Sequence, residues 1–345
     1  MANHALPRPN TTGPQPVSGG NPSAGANLRV SLLANRPDGA AGDRLFSYVI
    51  LGCALAVLAI LVLIVYELVQ SSQLSWKAFG WKFFWGHDWD PVNDQYGAMP
   101  FIYGTIVSSV LALVLAVPLA VGVAVFTTEM CPRWLRAPIS FLTELLAAIP
   151  SVIYGLWAIF VLVPILRLRI EPFLGKALGW TGLFDGPAYG FGMLAAGIVL
   201  AIMIVPIISS ITREVLSVVP QQQREAALAL GATRWEMIRV AVLRNARAGI
   251  VGAVILGLGR ALGETMAVTM VIGNRPEVAK SLFAFGYTMA SVLANEFSEA
   301  TGDLYLSALI EIGLALFLVT IIVNALARFM VWSVTRGQPA RGHAQ

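Results

Sequence analysis

Long apolar stretches alternate with shorter polar ones from about residue 46 almost to the end of this 345-residue chain. A helix of about 20 apolar residues crosses the hydrocarbon core of a bilayer. By that measure the pattern predicts six spans and an all-α polytopic membrane protein, with a transmembrane domain at 46–335. The predicted spans are Phe46–Val69, Phe101–Phe126, Ile139–Leu166, Phe191–Ile211, Ala248–Ile272 and Leu304–Phe329.

Prolines fall inside the second, third and fourth of these spans, at Pro118, Pro150 and Pro206. Neighbouring helices can satisfy the backbone groups that a proline frees within a membrane. We therefore expect kinks at these positions and no interruption of the spans.

Composition agrees with a membrane protein, since 57% of residues are hydrophobic, 12% are charged and the mean hydropathy is +0.73. The three histidines are scattered, and Cys53 and Cys131 are far apart in the predicted topology. We therefore expect neither a metal site nor a disulfide. The net charge of +4 would suit nucleic acid, but the placement of the basic residues favours membrane orientation and predicts no nucleic-acid partner.

The orientation follows from that placement. Residues 1–45 are rich in Pro, Gly, Asn and Ser and predict a disordered tail, and 336–345 form a short C-terminal tail. With the N-terminus inside, the inner segments hold fifteen of the 23 Lys and Arg residues and the outer segments hold seven. Because inner loops carry the excess of basic residues, we expect a multi-pass protein of the cell membrane with both termini cytoplasmic.

Two features between the spans leave alternatives open. The aromatic-rich segment 70–98 is either an interfacial amphipathic element or a packed surface loop. Glu144, near the start of the third predicted span, and Glu311, in the last, are expected to be buried. Each could serve as a packing hydrogen-bonder, a group that reaches the interface, or part of a transport pathway.

The fifth predicted span carries two opposite charges, Arg260 and Glu264, near its middle. Residues four apart share a helix face and can pair, and a charge at this depth is costly enough to need a role. We expect Arg260 and Glu264 to handle a charged solute; the alternative is a salt bridge that fixes helix register. Four glycines predict close packing of this helix at the centre of the bundle: Gly252, Gly257, Gly259 and Gly263.

Residues 212–247 form the longest predicted cytoplasmic loop, and the pattern indicates two helices within it. Pro220 precedes a run of helix formers, Gly231 suits a helix end, and Thr233 with Glu236 matches a capping box. Such a pair either docks onto another protein or lies on the membrane surface.

This loop resembles the EAA loop of ABC importer permeases through Glu225, Ala226, Ala227 and Gly231. In that family the loop forms coupling helices that dock into a cleft of the ATPase subunit. The family pattern continues as Ile-x-Leu-Pro. Here only the leucine matches, as the corresponding residues are Ala241, Leu243 and Arg244.

A narrower resemblance follows in GLGRALGETMA at 257–267, which ends at Ile272-Gly273-Asn274 and looks like the signature of PstC-type phosphate importer permeases. It covers about 46–335 and implies a type I ABC importer permease fold with cytoplasmic coupling helices. It also implies inorganic phosphate as substrate, with Arg260 and Glu264 in the pathway. The implied partners are a PstA-type sister permease, a PstB-type ATPase dimer and a PstS-type phosphate-binding protein.

The chain itself has no phosphate-binding loop of the ATPase type, since Gly175-Lys176 is followed by Ala177. We therefore expect a transport subunit that is not an enzyme and has no cofactor, with ATP and Mg²⁺ bound by a partner. Three rival interpretations stay open: a permease for sulfate or molybdate, a proton-coupled transporter that uses Arg260 and Glu264 as a relay, and a purely structural membrane subunit.

Overall fold

The computed structural model describes residues 39–335, so the predicted tails lie outside the described residues at 1–38 and 336–345. The first helix begins at Gly39, so residues 39–45 of the predicted N-terminal tail are helical. Within 39–335 the chain forms no strand, only isolated bridges between Asp90 and Gln95 and between Gly273 and Gly286.

The described chain is built from helices. The α-helices are α1 Gly39–Ser71, α2 Gln73–Phe79, α3 Lys82–Trp85, α4 Met99–Val125, α5 Arg133–Ala148, α6 Ser151–Trp157, α7 Val163–Ile165, α8 Glu171–Leu178, α9 Met193–Ser217, α10 Gln221–Ala229, α11 Arg234–Met237, α12 Arg244–Leu262, α13 Met266–Thr269, α14 Met289–Glu296 and α15 Asp303–Thr335. Wider π-helical turns continue several of them, at Phe126–Met130, Ala158–Leu162, Leu166–Ile170 and Ile238–Leu243.

Six helical stretches in the described chain are long and apolar enough to cross a membrane, which confirms the predicted number of spans. Their bounds are Arg44–Ser71, Met99–Met130, Ser151–Thr181, Met193–Ser217, Arg234–Leu262 and Asp303–Phe329. Four agree closely with the sequence-based bounds, and the third and fifth differ.

The third span begins later than predicted because Pro150 interrupts the helix. Ile149, the residue before it, is extended, as sterics before a proline favour. The predicted start at Ile139 belongs instead to α5, a separate amphipathic helix with no buried residue. By contrast, Pro118 and Pro206 lie inside the continuous helices α4 and α9, as predicted.

Backbone contacts divide the chain into a unit that ends at Ile64 and a second unit from Val65 onward. In the second unit, α9 is the central helix, and it packs mainly against α4 and α12. Small residues on α4 allow this close contact: Ala112, Ala116, Ala120 and Ala124 are all buried at four-residue spacing.

The second unit also contains two smaller clusters of buried apolar residues. One joins the aromatic segment after the first span to the start of α15, through residues such as Phe83, Tyr96 and Ile312. Segment 70–98 therefore has a packed side, while Trp81 and Trp85 on its other side are each 72% exposed. The other cluster joins the ends of α4 and α9 to the segment around Met237 and Val242.

Candidate translocation site and coupling segment

Arg260 and Glu264 lie where the fifth span ends. The prediction that both lie near the middle of one continuous helix is therefore wrong. Helix α12 stops at Leu262, and Gly263 follows as its cap. The chain then turns through Thr265 into the short helix α13. The predicted span to Ile272 is therefore wrong in its second half, because Gly263 is the point at which the helical hydrogen bonds end.

The two charges still face each other across this break. The distance from Arg260 Nη2 to Glu264 Oε2 is 3.7 Å, which is an ion pair but too long for a good hydrogen bond. The Glu264 side chain is 4% exposed and the Arg260 side chain is 47% exposed. About half of the Arg260 side chain is accordingly left uncovered by the described residues.

Glu264 has a second contact that explains its burial. Its Oε1 accepts a hydrogen bond from the backbone N–H of Ala267 at 3.3 Å, in the first turn of α13. A carboxylate that accepts from the start of a helix satisfies an otherwise unpaired donor. Glu264 thus holds the two sides of the break together and restrains Arg260 from behind.

The glycines of α12 divide between a packed face and an open face. A side chain at Gly257 would meet Ile208 of α9 at 2.7 Å, so this glycine allows close packing as predicted. For Gly252 and Gly259 nothing lies within 4 Å, and Gly263 meets only its own preceding turn. Within the described chain, Gly257 is therefore the one of these four glycines that allows close packing of a neighbouring helix.

The residues on the open side of α12 form one surface. Gly252, Leu256, Gly259 and Gly263 recur at three- or four-residue intervals, and Arg260 follows Leu256 by four residues. The Leu256 side chain is 59% exposed. We call these five residues the open face of α12. It carries a partly exposed arginine along a helix side with little bulk.

Residues 212–247 contain the predicted helix pair, in a compact form. Helix α10 is preceded by Pro220, and Gly231 after it has a positive φ of 84°. Thr233 Oγ1 accepts from Glu236 N at 3.3 Å, and Glu236 Oε2 accepts from Thr233 N at 2.8 Å, so the predicted capping box is confirmed.

The second helix of the pair does not end before the span. It runs from Arg234 through a π-helical turn directly into α12, to Leu262. Where the family pattern has a proline, this chain has Arg244, whose backbone N–H leaves the helix free to continue. The fifth span and the second helix of the pair consequently form one continuous rod, Arg234–Leu262.

The EAA residues lie on the surface of α10. Glu225 and Ala226 are exposed, Ala227 packs against the cluster around Met237, and Gly231 is exposed at the turn. Three large apolar side chains near them are also exposed: Leu228 at 44%, Leu230 at 89% and Trp235 at 62%. Such a contiguous apolar group on a polar segment marks an interaction surface.

Arg224, which the sequence reasoning missed, anchors this segment to the spans. Its guanidinium contacts Glu129 Oε1, with the Nη2 contact at 2.9 Å, and both side chains are mostly buried. It also donates to the backbone carbonyls of Leu216, at 2.9 Å, and Val219. Its position directly before Glu225 was the available signal, since a basic residue there meets the carboxyl end of α9.

A second polar bond joins α10 to the rod, from Asn245 Nδ2 to Gln223 Oε1 at 2.7 Å. Helix α10 is therefore tied to the second span by Glu129, to the fourth by Leu216 and to the fifth by Asn245. Beside it lies a cavity of about 820 Å³, lined by Glu129, Arg136, Arg213, Arg224 and Trp235 among others.

The other two acidic residues singled out from the sequence differ from each other. Glu144 lies on α5 and not in a span; its side chain is 63% exposed and pairs with Arg213 at 2.9 Å. The expectation that Glu144 is buried is wrong, because Glu144 lies on α5, an amphipathic helix that buries none of its residues. Glu311 in α15 is fully buried, as predicted.

Comparisons with known proteins agree with this architecture. The sequence profile of the binding-protein-dependent transport system inner membrane component family matches residues 116–336. The chain belongs to that family, and it is accordingly a membrane transport component and not an enzyme.

Individual relatives of known name are more similar to this chain than a family match alone requires. Over 296 residues the chain is 45% identical to the phosphate transport system permease protein PstC of Mesorhizobium japonicum, covering 85% of this chain and 90% of that one. It is 46% identical over 293 residues to PstC of Haemophilus influenzae, covering 84% and 92%. It is 44% identical over 308 residues to PstC 2 of Mycobacterium tuberculosis, covering 86% and 94%.

Among solved structures, a chain of a bacterial alginate ABC transporter matches with a TM-score of 0.56 at 16% identity, covering 85% of this chain and 97% of that one. A second structure, of a bacterial ABC transporter that imports alginate, matches with a TM-score of 0.54 at 15% identity, covering 86% and 100%. At this identity the likeness concerns the fold alone, and that fold is the ABC importer permease fold predicted from the sequence.

Proposed function

We propose that this chain is the permease subunit of an ATP-driven importer of inorganic phosphate and forms half of the translocation pathway. The observation that carries the proposal is Arg260, 47% exposed on the open face of α12 and held from behind by a buried Glu264. The named PstC relatives, at about 45% identity over most of the chain, support phosphate as the substrate.

The chemistry of the arginine fits this substrate. Phosphate at neutral pH is a strongly hydrated anion that needs a partner to enter a low-dielectric path. A guanidinium stays protonated and presents planar, forked donors that match phosphate oxygens. Because Glu264 partly neutralises Arg260 at 3.7 Å, phosphate binding there is weakened enough to allow release, which conduction requires.

The other half of the pathway comes from a partner. A Cβ at Gly252 or Gly259 on the open face of α12 would meet no atom of the described chain within 4 Å, and a PstA-type sister permease is the occupant that we propose for this space. A PstS-type phosphate-binding protein delivers the substrate on the outer side. Both termini lie in the cytoplasm, as the distribution of basic residues favours.

Energy enters through α10 and the turn at Gly231. A PstB-type ATPase dimer binds Glu225, Ala226, Ala227 and Gly231 together with the exposed apolar side chains beside them. When the ATPase closes, the rod Arg234–Leu262 moves as one piece, since no break separates the coupling helix from the span. That motion displaces Arg260 at the far end of the same rod and changes the side to which it is open.

The decisive experiment is ATP-dependent phosphate uptake into proteoliposomes that contain the assembled complex. We expect Arg260→Gln to assemble but to reduce uptake to the ATP-free background, and Arg260→Lys to retain only part of it. Arg169→Gln is the matched control, because Arg169 is an exposed arginine in the third span away from this face. Uptake at the wild-type rate by an assembled Arg260→Gln complex would exclude the pathway role.

Two further arms of the same assay separate the rival functions. An excess of sulfate or molybdate should leave phosphate uptake unchanged; strong competition would indicate a broader oxyanion permease. An uncoupler with ATP held constant should also have no effect, whereas collapse of uptake would favour a proton-coupled transporter.

A further inference from the structure

A buried acidic residue outside the proposed pathway lies between the last span and the helix that follows the first. Glu311 of α15 and Ser75 of α2 are both 0% exposed. The two helices are joined by a short polar chain one turn away. Ser75 N donates to Ser307 Oγ at 3.1 Å, and Ser307 Oγ donates to the carbonyl of Ser71 at 2.9 Å.

Glu311 itself is not part of that chain of hydrogen bonds. Neither of its carboxyl oxygens has a hydrogen-bond partner in the described residues, and the same holds for the Ser75 hydroxyl oxygen. The Ser75 side chain is the polar group that faces the carboxyl. Three buried oxygen atoms without a hydrogen-bond partner in the described residues therefore belong to these two side chains, and native proteins leave few such groups unsatisfied.

No charged side chain in the described residues compensates Glu311. Lys77 on α2 is exposed, Arg260 on α12 pairs with Glu264, and Glu296 on α14 accepts from Trp89 and Tyr305. Helix α4, which also packs against α15, has no charged residue. Three further charged groups on the surrounding elements are exposed or lie at the opposite end of α12: Glu67, Asp303 and Arg247.

We propose that Glu311 is a proton-binding site that joins α2 to α15. An ionised carboxylate without a hydrogen bond or counter-charge is strongly disfavoured in such surroundings, and a carboxyl group then keeps its proton. The protonated carboxyl group has an O–H that donates to Ser75 Oγ, so one proton pairs two of the three unpaired oxygen atoms.

This arrangement makes the contact between the two helices sensitive to pH. The neutral acid stabilises the contact between the two helices. Ionisation at high pH leaves an unpaired charge between α2 and α15, so the contact weakens as pH rises. The reverse also holds. A movement that separates the two helices admits water, which makes the charged carboxylate less costly, and the proton is then released.

Infrared difference spectroscopy of the purified chain at neutral pH tests the site without reference to transport. A protonated carboxyl gives a carbonyl band distinct from that of a carboxylate. We expect Glu311→Gln, which keeps the shape and a donor, to fold and to remove one such band. Glu171→Gln is the matched control, because Glu171 is also buried in a span and has one unpaired carboxyl oxygen; the Glu311 band should persist in it.

Ser75→Ala provides an independent variant should Glu311→Gln fail to fold. Loss of the acceptor should shift the Glu311 carbonyl band toward that of a free acid, and Ser72→Ala, which alters a buried serine bonded to Val69, should not shift it. A wild-type spectrum that lacks the band, or a Ser75→Ala spectrum without a shift, would overturn the proposal. Sodium-dependent appearance of a carboxylate band would overturn it as well and would assign a bound metal ion instead.

Discussion

The arginine near the end of α12 is informative through the groups that do and do not surround it. Arg260 has a carboxylate at 3.7 Å on one side and a glycine-lined open face on the other. A structural salt bridge would have both partners buried with close hydrogen bonds. The unequal exposure of Arg260 and Glu264 instead favours different roles for the two residues, with the arginine toward the substrate and the glutamate behind it.

Substitutions of Glu264 should therefore separate its two functions, which are the ion pair with Arg260 and the hydrogen bond from Ala267 N–H. Glu264→Gln keeps an oxygen acceptor for Ala267 N–H but loses the charge, whereas Glu264→Ala loses both. We expect both variants to lower phosphate uptake, and only the alanine variant to lose in addition about 1 kcal/mol of stability, as capping substitutions do. Thermal unfolding of the purified complex measures the difference, with Glu299→Ala on an exposed loop as the control. Equal stability of the two variants would contradict the capping role.

Sequence periodicity placed Arg260 and Glu264 four residues apart on one face, and the contact between them agrees. It did not foresee that the helix ends at Leu262. A hydropathy pattern measures apolar content, and Met266–Ile272 is as apolar as the span before it, so the pattern continued across the break. Gly263 was the local signal, but glycines are frequent in membrane helices and this one follows four others in the predicted span.

At the level of elements, helix α10 is held to the spans by a few polar bonds. Arg224 reaches Glu129 in the second span and two carbonyls at the end of the fourth. A buried pair of this kind contributes mainly by fixing geometry, since breaking it leaves one charge uncompensated. Helix α10 is thus bonded to the second, fourth and fifth spans, so the motion proposed for it would act on all three.

Removal of either partner should weaken this link strongly. We expect Arg224→Met or Glu129→Gln to cost about 3–5 kcal/mol, since each leaves a mostly buried charge unpaired. The double variant should cost less than the sum of the two because they share one interaction. Thermal unfolding gives the stability, and ATP hydrolysis without phosphate uptake in proteoliposomes gives the uncoupling. Arg239→Met, an exposed arginine on the same rod, is the control; additive effects would show that the pair does not act together.

The turn between α10 and α11 depends on its glycine. At Gly231 the φ of 84° is in the left-handed region, which a side chain disfavours although no neighbour blocks the space. Gly231→Ala should therefore cost about 1 kcal/mol and weaken assembly with the ATPase. Gly122→Ala is the control, because Gly122 is helical with open space around it. Co-purification with the ATPase decides the matter, and unchanged recovery of Gly231→Ala would exclude a role for this turn in docking.

For the whole molecule, apolar patterning predicted the number of spans correctly and misplaced the elements whose ends depend on single residues. Pro150 and Gly263 each moved a boundary by about three turns, in the third and fifth spans. The contact between Arg224 and Glu129 could not be read from the sequence, because it joins residues far apart in the chain that only the packing of α4 against α9 brings together.

The chain also has surfaces that it does not cover by itself. Helix α5 buries no residue, and a Cβ at Gly252 or Gly259 on the open face of α12 would meet no atom of the described chain within 4 Å. Both surfaces lie in the part of the chain between the second span and the end of the fifth. A permease that forms half of a pathway needs such surfaces, because the substrate route runs between two subunits.

The orientation of the whole molecule can be tested by labelling single cysteines in vesicles. In a chain with Cys53 and Cys131 replaced by alanine, Gln222→Cys places a thiol on the exposed surface of α10, and Val92→Cys places one in segment 70–98, where Val92 is 90% exposed. We expect a membrane-impermeant thiol reagent to label Val92→Cys only from outside and Gln222→Cys only in inside-out vesicles. Detergent-solubilised samples of both variants are the controls for reactivity. Labelling of Gln222→Cys from outside would reverse the proposed orientation and with it the assignment of α10 to the ATPase side.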